Sequence, residues 1–413
     1  MAENTKVFPV SSKSVWRDPI FWFVIAVGLG YGGVRNFLPT TFPILRHELG
    51  ATLKNLGQAE FLFYLSSVLI GIIGGPVLAL LGLKRTAVAA LAIAGGSLLL
   101  IGGAHGVNLI LVCAGMLGLA IVCLVVVVGS TISAHFQERR QSVFLLAGLS
   151  DASGTMLGPA ILGLWIMHAA RWHLTWRSGY FAGATVLGIL VIWALFVPAR
   201  SMGDGLPAGE ALKKNAVHTK EILRDSAFHT AVLLCFCHGL AQAGMVAFVG
   251  QLYIRRLHVD PAHAAYLLSA EGAGILAGRL IFGWITARWK IPELKVIAMC
   301  AAAETMAFTA TILAPNYAVG ITMFVLGGVF ISAVGPSLNS YLGCRLSDRL
   351  GTAFSLFAGL GNMGAALGPY IIGVLGTDFG IERGILCAPL FGGLLSATGL
   401  IRYLRERRLY GTV

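Results

Sequence analysis

Seven ionisable side chains stand inside long apolar runs of this sequence: Arg35, Glu60, Asp151, His238, Glu271, Arg279 and Glu304. A charge carried into hydrocarbon costs at least about 2.5–3.5 kcal/mol, so each of them needs a partner or a function. Arg35 has Tyr31 four residues earlier, one helical turn away on the same face. A guanidinium beside a phenol is a donor-rich spot suited to a carboxylate or phosphate oxygen. The competing reading of Arg35 is a structural ion pair with Glu60. Arg279, in "AGRLIFGW", either assists such a site or serves as a gate and packing contact. Asp151 and Glu271 are candidates for proton coupling, because a buried carboxyl can load and release protons as its access to water alternates. The alternative for each is a permanent arginine partner. His238 titrates in a range that suits the same role, or it is a hydrogen-bonded packing residue. "CFCH" at 235–238 is not expected to bind metal, since helix positions one and two apart point in different directions. No other cofactor is implied.

The elements that must hold these residues follow from composition. The chain has 413 residues, 57% hydrophobic and 12% charged, with a mean hydropathy of +0.81. Soluble domains carry about 25% charged and about 45–50% apolar residues, so a cytosolic enzyme, a nucleic-acid-binding domain and a disordered chain are excluded. The net charge of +12 is not a nucleic-acid footprint, because the basic residues sit in short clusters between apolar runs. The 53 glycines suit helices that pack closely in lipid. All seven cysteines fall in or beside apolar runs, which implies no disulfide framework.

Twelve apolar runs are long enough to span a bilayer: 19–43, 56–81, 86–104, 107–134, 141–168, 175–197, 228–252, 261–286, 293–314, 316–342, 351–375 and 382–404. An even number puts both termini on one face. That face collects 21 Lys and Arg, the other collects 7, and Arg35 and Arg279 make up the total of 30. Excess positive charge marks the cytoplasmic side. The expected organisation is a cytoplasmic segment 1–18, an N-terminal six-helix bundle 19–197, a cytoplasmic linker 198–227, a C-terminal six-helix bundle 228–404 and a tail 405–413. The halves repeat each other: "ERRQSVFLLAGLSDASGTMLGPAILG" (138–163) lines up with "DRLGTAFSLFAGLGNMGAALGPYIIG" (348–373). Two equivalent bundles around a cavity form the architecture in which transporters bind substrate at the repeat interface.

Several motifs lie on this frame. After span 2, "GPVLALLGLKR" holds Gly75, Gly82, Lys84 and Arg85, and the equivalent loop of the second half, "GWITARWK", holds Gly283 and Arg288. Span 5 carries Gly154, Gly158, Pro159 and Gly163, repeated in span 11 as Gly364, Gly368, Pro369 and Gly373. Glycines four apart share a helix face and let backbones approach, and proline allows bending. Together these features resemble the major facilitator superfamily across essentially the whole chain. The first loop is similar to that family's Gly-x-x-x-Asp-x-x-Gly-Arg-Lys, with Ala79 at the acidic position, and Ala287 replaces the acid in the second. The resemblance implies inward-side gating by these loops, flexing of spans 5 and 11, and a cavity lined by spans 1, 4, 7 and 10 with 2, 5, 8 and 11 beside it. On that basis six of the seven buried ionisable residues can reach the cavity, Glu304 being the exception. The Tyr-x-x-x-Arg of span 1 is similar to that of the organophosphate–phosphate antiporters, whose second arginine in span 7 is replaced here by His238 and Gln242. Drug exporters of the superfamily have an arginine within span 4, and none is present in "GLAIVCLVVVVGSTISAHF".

The expected protein is an all-α membrane protein with twelve transmembrane helices in two pseudo-symmetric bundles, and not an enzyme. It is expected to be a monomeric secondary transporter of a small organic anion, with protons or a counter-transported ion, in a bacterial inner membrane. Tyr31, Arg35, His238, Gln242 and Arg279 would bind substrate, and Asp151, Glu271 or His238 would couple protons. A proton-driven exporter of amphipathic compounds and a non-transporting receptor on the same fold are the alternatives.

Overall fold

The structure, a computed structural model, describes residues 15–136, 139–169, 171, 173–197, 219–289, 291–346 and 350–410. Side chains are described throughout these ranges except at 72–80, 140, 141, 287, 350–352, 355, 409 and 410. Among the described residues all regular structure is helical. In lipid each backbone N–H and C=O must be satisfied inside its own segment, which a helix does. Eleven helices among the described residues are long and apolar enough to cross a membrane.

Helix starts are set by short polar side chains. Asp18 accepts from Ile20 N at 2.8 Å ahead of Pro19–Arg35, and Asp225 accepts from Ala227 N at 2.7 Å ahead of Ser226–Leu257. Thr52 and Asn55 form a capping box at Leu53, while Asp260 and Pro261 open Pro261–Arg288. The first and seventh spans therefore begin alike, as duplicated halves should.

Four spans take a different course from the one expected. Span 1 extends to Glu48 in two pieces, Pro19–Arg35 and Phe37–Glu48, broken at Asn36. Spans 2 and 3 run as one helical stretch, Leu53–Gly102, bent where Gly82 takes φ 74° and ψ 159°. That left-handed φ is open to glycine at no steric cost, so a single residue turns the chain where a loop was expected. Span 12 is two pieces, Ile381–Gly384 and Cys387–Tyr410. Its second piece continues through Arg405, Arg407 and Arg408, because basic side chains can snorkel toward water from a helix leaving the hydrocarbon. Most of the linker, 198–218, lies outside the described residues.

The remaining spans are Val107–His135, Arg140–Ala169, Trp176–Phe196, Glu293–Leu313, Tyr317–Arg345 and Leu350–Phe379. Their packing repeats with a step of six spans. Span 1 packs on 5 as 7 does on 11, span 3 on 6 as 9 does on 12, and span 10 on 8 as 4 does on the 2–3 stretch. Across the halves, span 5 packs on 8 and span 11 on 2. These two seams are each other's mirror and leave the ends of spans 1 and 7 between them. The second piece of span 1 also leans on spans 7 and 8, where Phe42 and Phe248 sit with ring centroids 6.2 Å apart.

Candidate functional site

The repeated glycine motif divides its work between the halves. Gly154 and Gly158 of span 5 lie against the backbone of Leu29, Gly32 and Gly33 in span 1, and Gly364 and Gly368 of span 11 lie against Phe236 and Leu240 in span 7. The third glycine faces the other half: a Cβ on Gly163 would stand 2.9 Å from Ala265 Cβ of span 8, and one on Gly373 would stand 2.6 Å from Leu53 O of span 2. A bulkier residue at any of these positions would push two backbones apart. Pro159 and Pro369 are inside their helices, and Pro369 O lies against Gly57 of span 2.

This close packing brings Asp151 of span 5 against span 1. Gly32 has no side chain to hold the two apart, and its backbone lies on Asp151. Arg35 Nη2 then reaches Asp151 Oδ1 at 3.4 Å, and Arg279 Nη2 of span 8 reaches Asp151 Oδ2 at 3.6 Å. Arg279 also donates from Nη1 to Gly148 O. The side chains of Arg35, Arg279 and Asp151 are 32%, 27% and 15% exposed, so the trio is only partly buried. The competing Arg35–Glu60 pair is not formed. Glu60 is buried one span away, while Asp151 faces Arg35 directly.

Other expected residues divide around this trio. Tyr31 is buried one turn before Arg35 on span 1. Gln242 Nε2 of span 7 donates to Glu271 Oε1 of span 8 at 3.3 Å, which joins two residues singled out for different roles. His238 is not brought into that pair; its buried Nδ1 has no hydrogen-bond partner. Glu304 is fully buried in the C-terminal half with both carboxyl oxygens unpartnered. Arg35 and Arg279 stand at different depths along spans 1 and 8, yet both reach one carboxylate, because the arginine stem carries its charge well away from its own Cα. Sequence reasoning missed Gly32 and the carbonyl of Gly148. The run "GYGG" at 30–33 was the available signal for the first.

The loop motifs sit away from this cluster. Lys84 donates to Leu195 O at 2.7 Å, tying span 3 to span 6 within one half. Arg85 and Arg288 are exposed, and Gly82 and Gly283 would admit a Cβ with nothing within 4 Å. Gly75 belongs to the Leu53–Gly102 stretch, where the side chains at 72–80 are not described. Among the described residues no group of three or more His, Cys, Asp or Glu could hold a metal ion.

The model of the Major Facilitator Superfamily matches residues 23–369. Solved structures share the architecture at low identity. A bacterial homologue of the human lysosomal transporter Spinster, in an inward-facing and occupied conformation, superposes with TM-score 0.76 at 13% identity, covering 95% of this chain and 98% of that one. A mutant of the nucleoside transporter NupG gives 0.75 at 13%, covering 94% and 100%. A mutant of the fucose:proton symporter FucP of E. coli gives 0.64 at 15%, covering 93% and 98%. No curated protein matches the chain in sequence. With its two six-helix bundles and the family match over most of its length, the chain belongs to the major facilitator superfamily, as a multi-pass membrane transporter and not an enzyme.

Proposed function

We propose that this transporter moves a small organic anion by alternating access, coupled to protons or exchanged against another anion. The observation that carries the reading is Asp151 facing Arg35 of its own half and Arg279 of the other. Two guanidiniums on one carboxylate leave one positive charge in excess. A carboxylate or phosphate ester entering there takes bidentate donors from arginine and competes with Asp151 for Arg279. Substrate binding would thereby loosen a contact between the halves, which is the coupling that alternating access requires. Tyr31 adds a phenol beside Arg35. Glu271, held by Gln242, is the proposed proton carrier, with Asp151 and His238 as the other groups able to serve.

A second reading is favoured by the same Gln242–Glu271 pair. An amide and a carboxyl side by side suit a neutral, hydroxyl-bearing solute, and structural neighbours include a nucleoside transporter and a fucose:proton symporter. The Lys and Arg bias supports cytoplasmic termini, and short loops without an Asn-x-Ser/Thr acceptor favour a bacterial inner membrane; one chain suffices for the site, so the working form is a monomer. Purified protein in liposomes, offered labelled carboxylates, phosphate esters, sugars, nucleosides and amphipathic cations with and without a pH gradient, separates these readings. Uptake of an anion that Arg35→Gln abolishes supports the first. Uptake of only neutral solutes or cations, unchanged in that variant, removes Arg35 from the site.

A further inference from the structure

A charged cavity, of about 1400 Å³, opens at the end of the C-terminal half that carries the chain terminus. Spans 7, 8, 9, 10 and 12 and the 8–9 loop line it, and among the described residues none of span 11 or of the N-terminal half does. It is therefore separate from the Arg35–Asp151–Arg279 cluster and lies outside the seam between the halves.

Its three acids are all engaged. Asp225 caps span 7 through Ala227 N and Phe228 N, and Glu293 accepts from Ser340 Oγ at 2.9 Å. Glu406 accepts from Tyr341 OH at 2.7 Å and from Arg345 Nη2 at 2.6 Å. Arg345 itself lies 3.9 Å above the Tyr341 ring, so spans 10 and 12 are clamped into one wall. Four lining cations, Lys295, Arg402, Arg405 and Arg407, have no acid within 4.0 Å among the described residues.

The height of the opening identifies the ligand. Trp289 is on the rim, and its ring centroid is 5.6 Å from that of Trp284; the two are 52% and 65% exposed. Exposed tryptophans concentrate at the level of the lipid headgroups. Below the cations, span 12 continues as an apolar track. Ile401, 65% exposed, is one turn before Arg405, and Leu404, 43% exposed, is three residues before Arg407. Unpaired arginines flanked by exposed tryptophans and by exposed apolar side chains of span 12 match a phosphate joined to acyl chains rather than a soluble phosphate.

We propose that Lys295, Arg402, Arg405 and Arg407 form a binding site for the phosphate headgroup of an anionic phospholipid, whose acyl chains follow Ile401 and Leu404 along span 12. The test reconstitutes the full chain in phosphatidylcholine nanodiscs with added phosphatidylglycerol and counts retained lipids by native mass spectrometry. The variant K295Q/R402Q/R405Q/R407Q is expected to lose tightly retained phosphatidylglycerol at least tenfold. The milder R405Q/R407Q, which leaves the Tyr341–Arg345–Glu406 clamp intact, is expected to lose part of it while unfolding at the wild-type temperature. A control removing four exposed cations elsewhere on the same face (R17Q/R85Q/R139Q/K220Q) is expected to retain the lipid. Equal loss in the control would reduce the effect to surface charge and overturn the proposal, as would full retention in the four-residue variant. Inorganic phosphate and glycerol 3-phosphate, added to protein in detergent, are expected to leave its unfolding temperature unchanged. Stabilisation by either that equals that of phosphatidylglycerol would assign the site to a soluble anion instead.

Discussion

Arg279 of span 8 and Asp151 of span 5 meet at 3.6 Å, and among the ion pairs between described residues this one alone joins the two halves. Elsewhere the halves meet in close-packed contacts, as at Gly163 against Ala265, Gly373 against the Leu53 backbone and Phe61 beside Tyr370. Such contacts need fit but carry no charge. The cross-half interaction that an incoming ion can compete with is thus concentrated at one carboxylate, beside the donors of Arg35.

Replacing Asp151 by Asn is expected to leave Arg35 and Arg279 facing each other without a counter-charge. Breaking a fully buried pair costs about 3–5 kcal/mol, and the partial exposure of these side chains lowers the expectation to about 1–3 kcal/mol. The midpoint of thermal unfolding in detergent should fall, and a bound organic anion should raise it more in D151N than in wild type. An unchanged midpoint would mean that the carboxylate holds nothing.

Arg35→Gln is expected to weaken anion uptake by about 10- to 100-fold, the loss of one charged hydrogen bond of about 1.5–3 kcal/mol, while expression and membrane insertion stay normal. Arg35→Lys keeps the charge but not the planar fork, so partial uptake should survive. Initial rates in liposomes check both.

Glu271→Gln separates proton coupling from binding. With the carboxyl replaced, a pH gradient should no longer drive accumulation above equilibrium, whereas exchange of substrate across the membrane should persist. Accumulation at the wild-type level in E271Q would pass the coupling role to Asp151 or His238.

The glycine seam gives a stability contrast. Gly158→Ala puts a methyl against Gly33 of span 1, and an overpacked contact of this kind costs about 1–3 kcal/mol. A Cβ on Gly188 meets nothing within 4 Å, and alanine is the better helix former by about 1 kcal/mol. G158A should unfold several degrees below wild type, and G188A at or above it.

The frame of this molecule was legible in the sequence because the bilayer imposes it. Runs of apolar residues, the Lys and Arg bias and the repeated Gly154–Gly163 and Gly364–Gly373 stretches suffice for twelve spans in two halves. Where each buried charge finds its partner was less legible. Spacing gives the depth of Arg35, but which neighbouring span it faces depends on how closely spans 1 and 5 pack, and that is decided by Gly32, Gly154 and Gly158 together. The sequence offers Glu60 as one partner for Arg35 and an arginine as one partner for Asp151; the pair that forms is Arg35–Asp151, because those glycines bring the Asp151 backbone in. The breaks at Asn36 and within span 12 were hidden for a related reason. Both flanks of each break are apolar enough to read as one run, and composition does not record where the helix axis changes.

The most direct test of the account is the distance between the halves when their ion pair is removed. His47 and Arg383 are exposed on opposite halves at the end away from the termini, and spin labels at H47C and R383C report that separation by pulsed electron resonance. In wild-type background the labels should give a short, dominant distance, and adding Arg279→Gln should shift much of the population to longer separations. An identical distribution with and without Arg279 would contradict the claim that its pairing with Asp151 helps to hold the halves together.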